Sequence, residues 1–263
     1  MNNNYEGDYK ALLKRIMVYG HENKTRGNNV RISLFGESIE FNNAMGMFPM
    51  LTSKRMYFKN VKYELHWMLS GLTNIKYLKA NGVSIWDLWA DENGEIGDTY
   101  GSQLRGFNGV DQLKLILNEL ETTKNSSRLV ISLWNPVAIS QGNLRPCYHS
   151  FQFVPINKML HLNVSQRSAD VFVGLPYDMA VFSMLLRLVA DKYDFIPGIV
   201  KINIGNAHIY KDHIEPAREY LGRSEFDLPN LYNGQREVIN FDVSKVELKR
   251  YESHDFIKAK IIV

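Results

Sequence analysis

The sequence predicts an α+β fold, and three observations carry the expectation. Runs with the two-residue alternation of strands are interleaved with runs of helical spacing. Hydrophobic residues make up 45% of the 263 positions, enough for a sizeable core. No internal repeat, low-complexity tract or linker interrupts the chain, so residues 1–263 read as one domain.

Taken in order, "YKALLKRIMVYG" has the apolar spacing of an amphipathic first helix, and "VRISLFGESIEFN" alternates as a strand or hairpin. "VKYELHWMLSG" and "VDQLKLILNELETT" read as helices, separated by a loop-rich stretch containing "WDLWADENGEIGDTYGSQLRGF". "RLVISLW", "SFQFVP" and "MLHLNVSQ" are strand-like. "DMAVFSMLLRLVADKY" is a core helix, too short and too charged to span a bilayer. "GIVKINIG" reads as a strand and "HIYKDHIEPAREYL" as a helix.

Composition narrows the function. A net charge of +3 suits a small anionic ligand and argues against a nucleic-acid binder, which would cluster its basic residues on one face. Cys147 is the only cysteine, so no intrachain disulfide forms and a reducing, cytoplasmic compartment is expected. "MNNNYEGDYK" lacks the apolar core of a signal peptide, and no membrane partner is expected. There is no dinucleotide fingerprint, no Walker loop and no zinc spacing.

Several residues have a chemical and a plain reading. A lone Cys147 is either an inert buried hydrophobe or, with Arg145 and His149 close in "RPCYH", a thiolate nucleophile. Glu64 in "YELHWML" is solvated, or buried with a raised pKa and available for proton transfer. Trp86 and Trp89 are core residues or a pocket wall. Arg167 and Ser168 hold a phosphate or simply end a strand. His208 and Tyr210 grip a sugar hydroxyl or cap the core.

Their combination resembles the folate-dependent pyrimidine-nucleotide transferases, thymidylate synthase and the deoxycytidylate hydroxymethylases. The runs that carry the likeness are "LFGESIEFNNAMGMFPMLTSKR", "YELHWMLSGLTNIKYL", "IWDLWADENGEIGDTYGSQLR", "RPCYHSFQF", "QRSADVFVGLPYDMA", "NAHIYKDHIE" and "IKAKIIV". Residues 136–143 and 223–252 match least. The resemblance implies an α+β sandwich with a bent mixed sheet flanked by helices, working as a homodimer. It places Cys147 on the nucleophile that adds to carbon 6 of the pyrimidine, activating carbon 5 toward the methylene carbon of 5,10-methylenetetrahydrofolate. Glu64 falls on the acid/base carboxylate, and Tyr100 on the tyrosine that helps remove the carbon-5 proton. Arg26, Arg167 and Ser168 match the grip on the nucleotide phosphate, Gln166 falls in the nucleotide site, and His208 and Tyr210 match the deoxyribose contacts. Arg128 matches an arginine lent by the partner subunit, where the family usually shows two; here Ser127 precedes it. Ile85, Trp86, Trp89, Asp170, Leu175, Tyr177 and Val263 match the folate pocket, and Lys54 its glutamate tail. No metal is implied.

Asp178 departs from the synthase pattern, which has asparagine. That amide donates to uracil's 4-keto oxygen and accepts from its ring N–H. A carboxylate only accepts, so uracil would leave a buried acceptor facing an acceptor, at about 1–3 kcal/mol. Cytosine offers a 4-amino donor, and a shared proton can bridge the second oxygen to ring nitrogen 3 and stabilise the covalent adduct. Such a site rejects the wrong base by about 10⁴-fold. Tyr148, where synthases have histidine, alters the same base edge. The plain reading is that Asp178 caps a helix. The expected substrate is dCMP. Relatives with aspartate here mostly hydroxymethylate, supplying a modified base for viral DNA, so 5-hydroxymethyl-dCMP is the favoured product. Methylation of dCMP, ordinary thymidylate synthesis, and nucleotide or RNA binding without catalysis stand as alternatives.

Overall fold

The computed structural model describes residues 4–25 and 27–262. Chain order begins with helix α1 (Tyr5–Tyr19), strands β1 (His21–Lys24) and β2 (Val30–Asn42), and helices α2 (Phe58–Leu69), α3 (Lys76–Ala80), α4 (Gly101–Gly106) and α5 (Gln112–Thr122). Strand β3 (Val130–Ser132), helix α6 (Pro136–Ser140) and strands β4 (Tyr148–Ile156) and β5 (Met159–Asp170) follow. Helix α7 (Leu175–Tyr193), strand β6 (Ile196–Tyr210), helix α8 (Ile214–Leu221) and the small strands β7 (Asn230–Asn233) and β8 (Val246–Lys249) complete the order.

The main sheet has six strands in the order β1-β2-β6-β5-β4-β3. Every neighbouring pair is antiparallel except β5 with β6, so the sheet is mixed. Register shifts between Tyr148 and Ser150, and between Leu160 and Leu162, mark irregular points where such a sheet bends. A parallel pair cannot be closed by a hairpin, and α7 supplies the crossover from β5 to β6. Packed on β5 and β6 and also contacted by α2 and α5, α7 buries every residue from Met179 to Leu186. That explains why its sequence is apolar on all sides instead of along one stripe. α1 covers β2 with Tyr9, Leu12, Leu13 and Ile16, all fully buried on one helical face.

Two predicted boundaries move. "HIYKDHIEPAREYL" has helical spacing, yet its first three residues belong to β6, where Ser33 pairs with His208 and Arg31 with Tyr210. Cross-strand pairing on both sides outweighs local periodicity, and the helix proper begins only at Ile214. The loop-rich stretch hides α4. Its first residue must be glycine, because a Cβ at Gly101 would lie 2.9 Å from the Leu72 carbonyl oxygen.

Candidate active site

The C-terminal ends of β5 and β6, the start of β2, one face of α2 and the first turn of α7 enclose a cavity of about 530 Å³. That is the size of a small-molecule site. The strand register builds one end of it: Asp170 faces His208, Ser168 faces Asn206, and Arg31 faces Tyr210. Cys147 lies just before β4, and its carbonyl accepts from the Arg167 N–H at 2.9 Å, so the two residues are neighbours across the ladder. The bulge after Tyr148 gives His149 no place in the cavity wall. The cation beside the sulfur is therefore Arg167, whose Nη2 is 3.9 Å from Sγ.

The sulfur is solvent-accessible but lies deep between protein walls. That desolvation pushes the thiol up, more than Arg167 and a hydrogen bond from the Tyr100 hydroxyl pull it down; Asp178 pushes it further up. A cation alone does not make this cysteine a resting thiolate. Tyr100 accepts the Cys147 backbone N–H at 2.8 Å and is held neutral, well above the ordinary tyrosine range, chiefly by burial. It sits at φ 40°, ψ −96°, a strained conformation for an aromatic residue, pinned by rings of Trp86 and Tyr148 at 5.2 and 4.9 Å.

Glu64, on α2, faces the cavity instead of bulk solvent. Trp86 Nε1 donates to its Oε1 at 2.9 Å, while burial and then Asp178 raise its pKa to about 8. At neutral pH it keeps its proton, the state required of a general acid. Asp178 is in the first turn of α7, but the cap residue is Gly174 and no side chain caps the helix. Its Oδ2 instead accepts from Gln166 Nε2 at 2.7 Å, and burial lifts its pKa to about 6. Gln166 is itself buried and is not among the residues lining the cavity, and from there it holds Asp178. Tyr148 spends its hydroxyl on Met68 Sδ at 3.1 Å.

Ser168, His208 and Tyr210 line the cavity together. His208 Nδ1 lies 3.0 Å from Asn206 Oδ1, and burial first, then Arg31, lower its pKa to about 4, so it is neutral. Ile85, Trp86, Trp89 and Tyr177 form an apolar wall, joined by Phe256, Ala259, Ile261 and Ile262 from the tail. Asp170 is the carboxylate on that side. Its Oδ1 accepts from the N–H groups of Phe172 and Val173, and Oδ2 lies 3.8 Å from His213 Nδ1. An aromatic slot with a single carboxylate fits a flat ring system with N–H donors, as a folate has. Among the described residues no cluster of His, Cys, Asp or Glu is arranged to hold a metal.

Other expected site residues stand elsewhere. Lys54 is buried outside the cavity, its ammonium donating to the Phe172 carbonyl and lying 3.9 Å above that ring; burial lowers its pKa to about 7. Its ammonium is thus spent on that carbonyl and ring. Leu175 is likewise fully buried in the core. Arg128 is exposed and paired with Glu119 at 3.0 Å, away from this chain's own cavity. Arg26 and Val263 lie outside the described residues. Sequence reading missed Arg31 and Asn60, both in the cavity wall. Each is a polar position in an amphipathic pattern, indistinguishable there from a solvated one.

The family model described as thymidylate synthase matches residues 7–263, and the chain belongs to that family. With it come folate-dependent one-carbon transfer to carbon 5 of a pyrimidine nucleotide and methylenetetrahydrofolate as the donor.

Proposed function

We propose that the chain transfers a one-carbon unit to carbon 5 of dCMP and releases 5-hydroxymethyl-dCMP. The observation that carries this reading is Asp178: one oxygen is held by Gln166 and the group shares a cavity with Cys147. Cytosine nitrogen 3 is a base of carboxylate-like strength, whereas uracil's 4-keto oxygen is not. A carboxyl with its pKa near 6 can share a proton with the former near neutral pH and still accept from the 4-amino group. Tyr148, occupied by Met68, offers nothing to a keto oxygen.

In this reading Cys147 adds to carbon 6 when its thiol ionises beside Arg167, and Asp178 steadies the charge that enters the ring. Bound methylenetetrahydrofolate supplies the electrophilic carbon. Tyr100, a neutral phenol, orients the proton acceptor at carbon 5 and is not itself ionised. Asn60 lies one helical turn before Glu64 in the same wall, and its side chain makes no hydrogen bond among the described residues. The pair is suited to hold the water that becomes the hydroxyl. Arg128 would act across a homodimer, since it points away from its own cavity.

One observation favours a second product. The tail residues Ala259, Ile261 and Ile262, with Trp86 and Trp89, wall the cavity against water, which suits hydride transfer and 5-methyl-dCMP. Incubation with methylenetetrahydrofolate and either dCMP or dUMP separates the readings. The expected result is a dCMP product heavier by a hydroxymethyl group with no dihydrofolate absorbance. A methylated dCMP with dihydrofolate selects the second product, and preference for dUMP ends the cytosine reading.

A further inference from the structure

We propose that Arg31 is a binding residue for the 5′-phosphate of the nucleotide, supplied by the chain's own sheet; this rests on the nucleotide reading above. Arg31 is the second residue of β2, opposite Tyr210, and lines the cavity with Arg167 and Ser168. Its Nε is buried and has no hydrogen-bond partner among the described residues. A buried guanidinium donor left unpaired costs free energy unless something fills it.

The surroundings say what fills it. Several arginines elsewhere are neutralised by carboxylates, among them Arg15 by Glu37, Arg105 by Asp111 and Arg187 by Asp191. No carboxylate pairs with Arg31 among the described residues. Among the described residues the cavity's acidic groups meet other donors than Arg31: Asp170 accepts from backbone N–H groups, Asp178 from Gln166 and Glu64 from Trp86. Arg167 uses Nε and Nη2 on the carbonyls of Pro146 and Arg145, which fixes its plane. Arg31 and Arg167, with the Ser168 hydroxyl and with Arg145 in the same cavity wall, and with no carboxylate paired to either guanidinium among the described residues, make a site for a compact dianion with several acceptor oxygens. Neutral His208 beside them adds a sugar contact and no competing negative charge.

The test compares inorganic phosphate, dCMP and deoxycytidine by calorimetry, for the intact protein and for Arg31→Gln and Arg31→Lys. Arg31→Gln should weaken dCMP and phosphate by about tenfold to a hundredfold, leave deoxycytidine unchanged, and flatten the salt dependence of dCMP binding. Arg31→Lys should recover part of the loss. Equal weakening of dCMP and deoxycytidine, or no weakening, overturns the assignment, as does intact protein that binds no phosphate. Equal affinity for dCMP and dUMP with phosphate binding still dependent on Arg31 would sink the cytosine reading and leave Arg31 in place.

Discussion

Glu6 and Glu64 are the same side chain in opposite circumstances. Glu6, in the first turn of α1, accepts from Thr52 N at 2.8 Å, Thr52 Oγ1 at 2.6 Å, Ser53 N at 2.7 Å and Tyr220 Oη at 2.7 Å. Among the described residues Glu64 has Trp86 Nε1 alone. Donor number separates structure from chemistry. A carboxylate whose lone pairs are filled ties α1, the 52–53 turn and α8 together and has nothing left to give. One left nearly empty in an apolar wall holds a proton at neutral pH and can hand it over. Asp178 lies between these extremes, with one oxygen held and one open.

Glu64→Gln should break the comparison most visibly. It removes the transferable proton and should cost about 10²- to 10⁴-fold in kcat, with no loss of stability to urea at neutral pH. Retained turnover in steady-state assays would move the acid elsewhere. Asp178→Asn should come next, shifting kcat/KM from dCMP toward dUMP by about 10²-fold or more. Unchanged selectivity would refute the base-edge reading. Glu6→Gln should do the reverse of Glu64→Gln. It leaves buried donors unpaired and should cost about 2–4 kcal/mol in equilibrium unfolding, while kcat measured well below the melting transition stays close to the parent.

A further effect is in pH. Glu64 is raised from 4.5 to about 8 in the fold, so the folded state binds more protons than the unfolded chain between those values. Stability must then fall as pH rises through that window. Urea unfolding at a series of pH values should show the decline in the parent and a shallower one in Glu64→Gln. An identical slope in both would mean that the carboxyl ionises as it does in water.

Much of the fold and the site is legible in the sequence. Alternation gave β2, β4 and β5, and the unbroken apolar run gave α7, because a crossover helix packed on several sides needs no polar stripe. The likeness in "RPCYH" and "QRSADVFVGLPYDMA" named Cys147, Arg167, Ser168, Asp170 and Asp178, all of which share one cavity. Lys54 stands buried outside the cavity wall, and a charged residue carries no mark in sequence of the carbonyl that buries it. Helical phase left Glu64 open between solvent and a buried site, because the cavity is concave and a polar stripe facing a pocket reads like one facing water. Arg31 escaped notice for the same reason on a strand.

The site is divided between two kinds of support. Arg31, Arg167, Ser168, His208 and Tyr210 ride on the interlocked strands β2, β5 and β6, whereas Asp178 rides on the opening turn of α7. The handle that grasps any such molecule and the head that reads its heterocycle are thus mounted separately. A lineage could exchange the reading head by a single replacement while the grip stays as it was, and an engineer could borrow the same freedom.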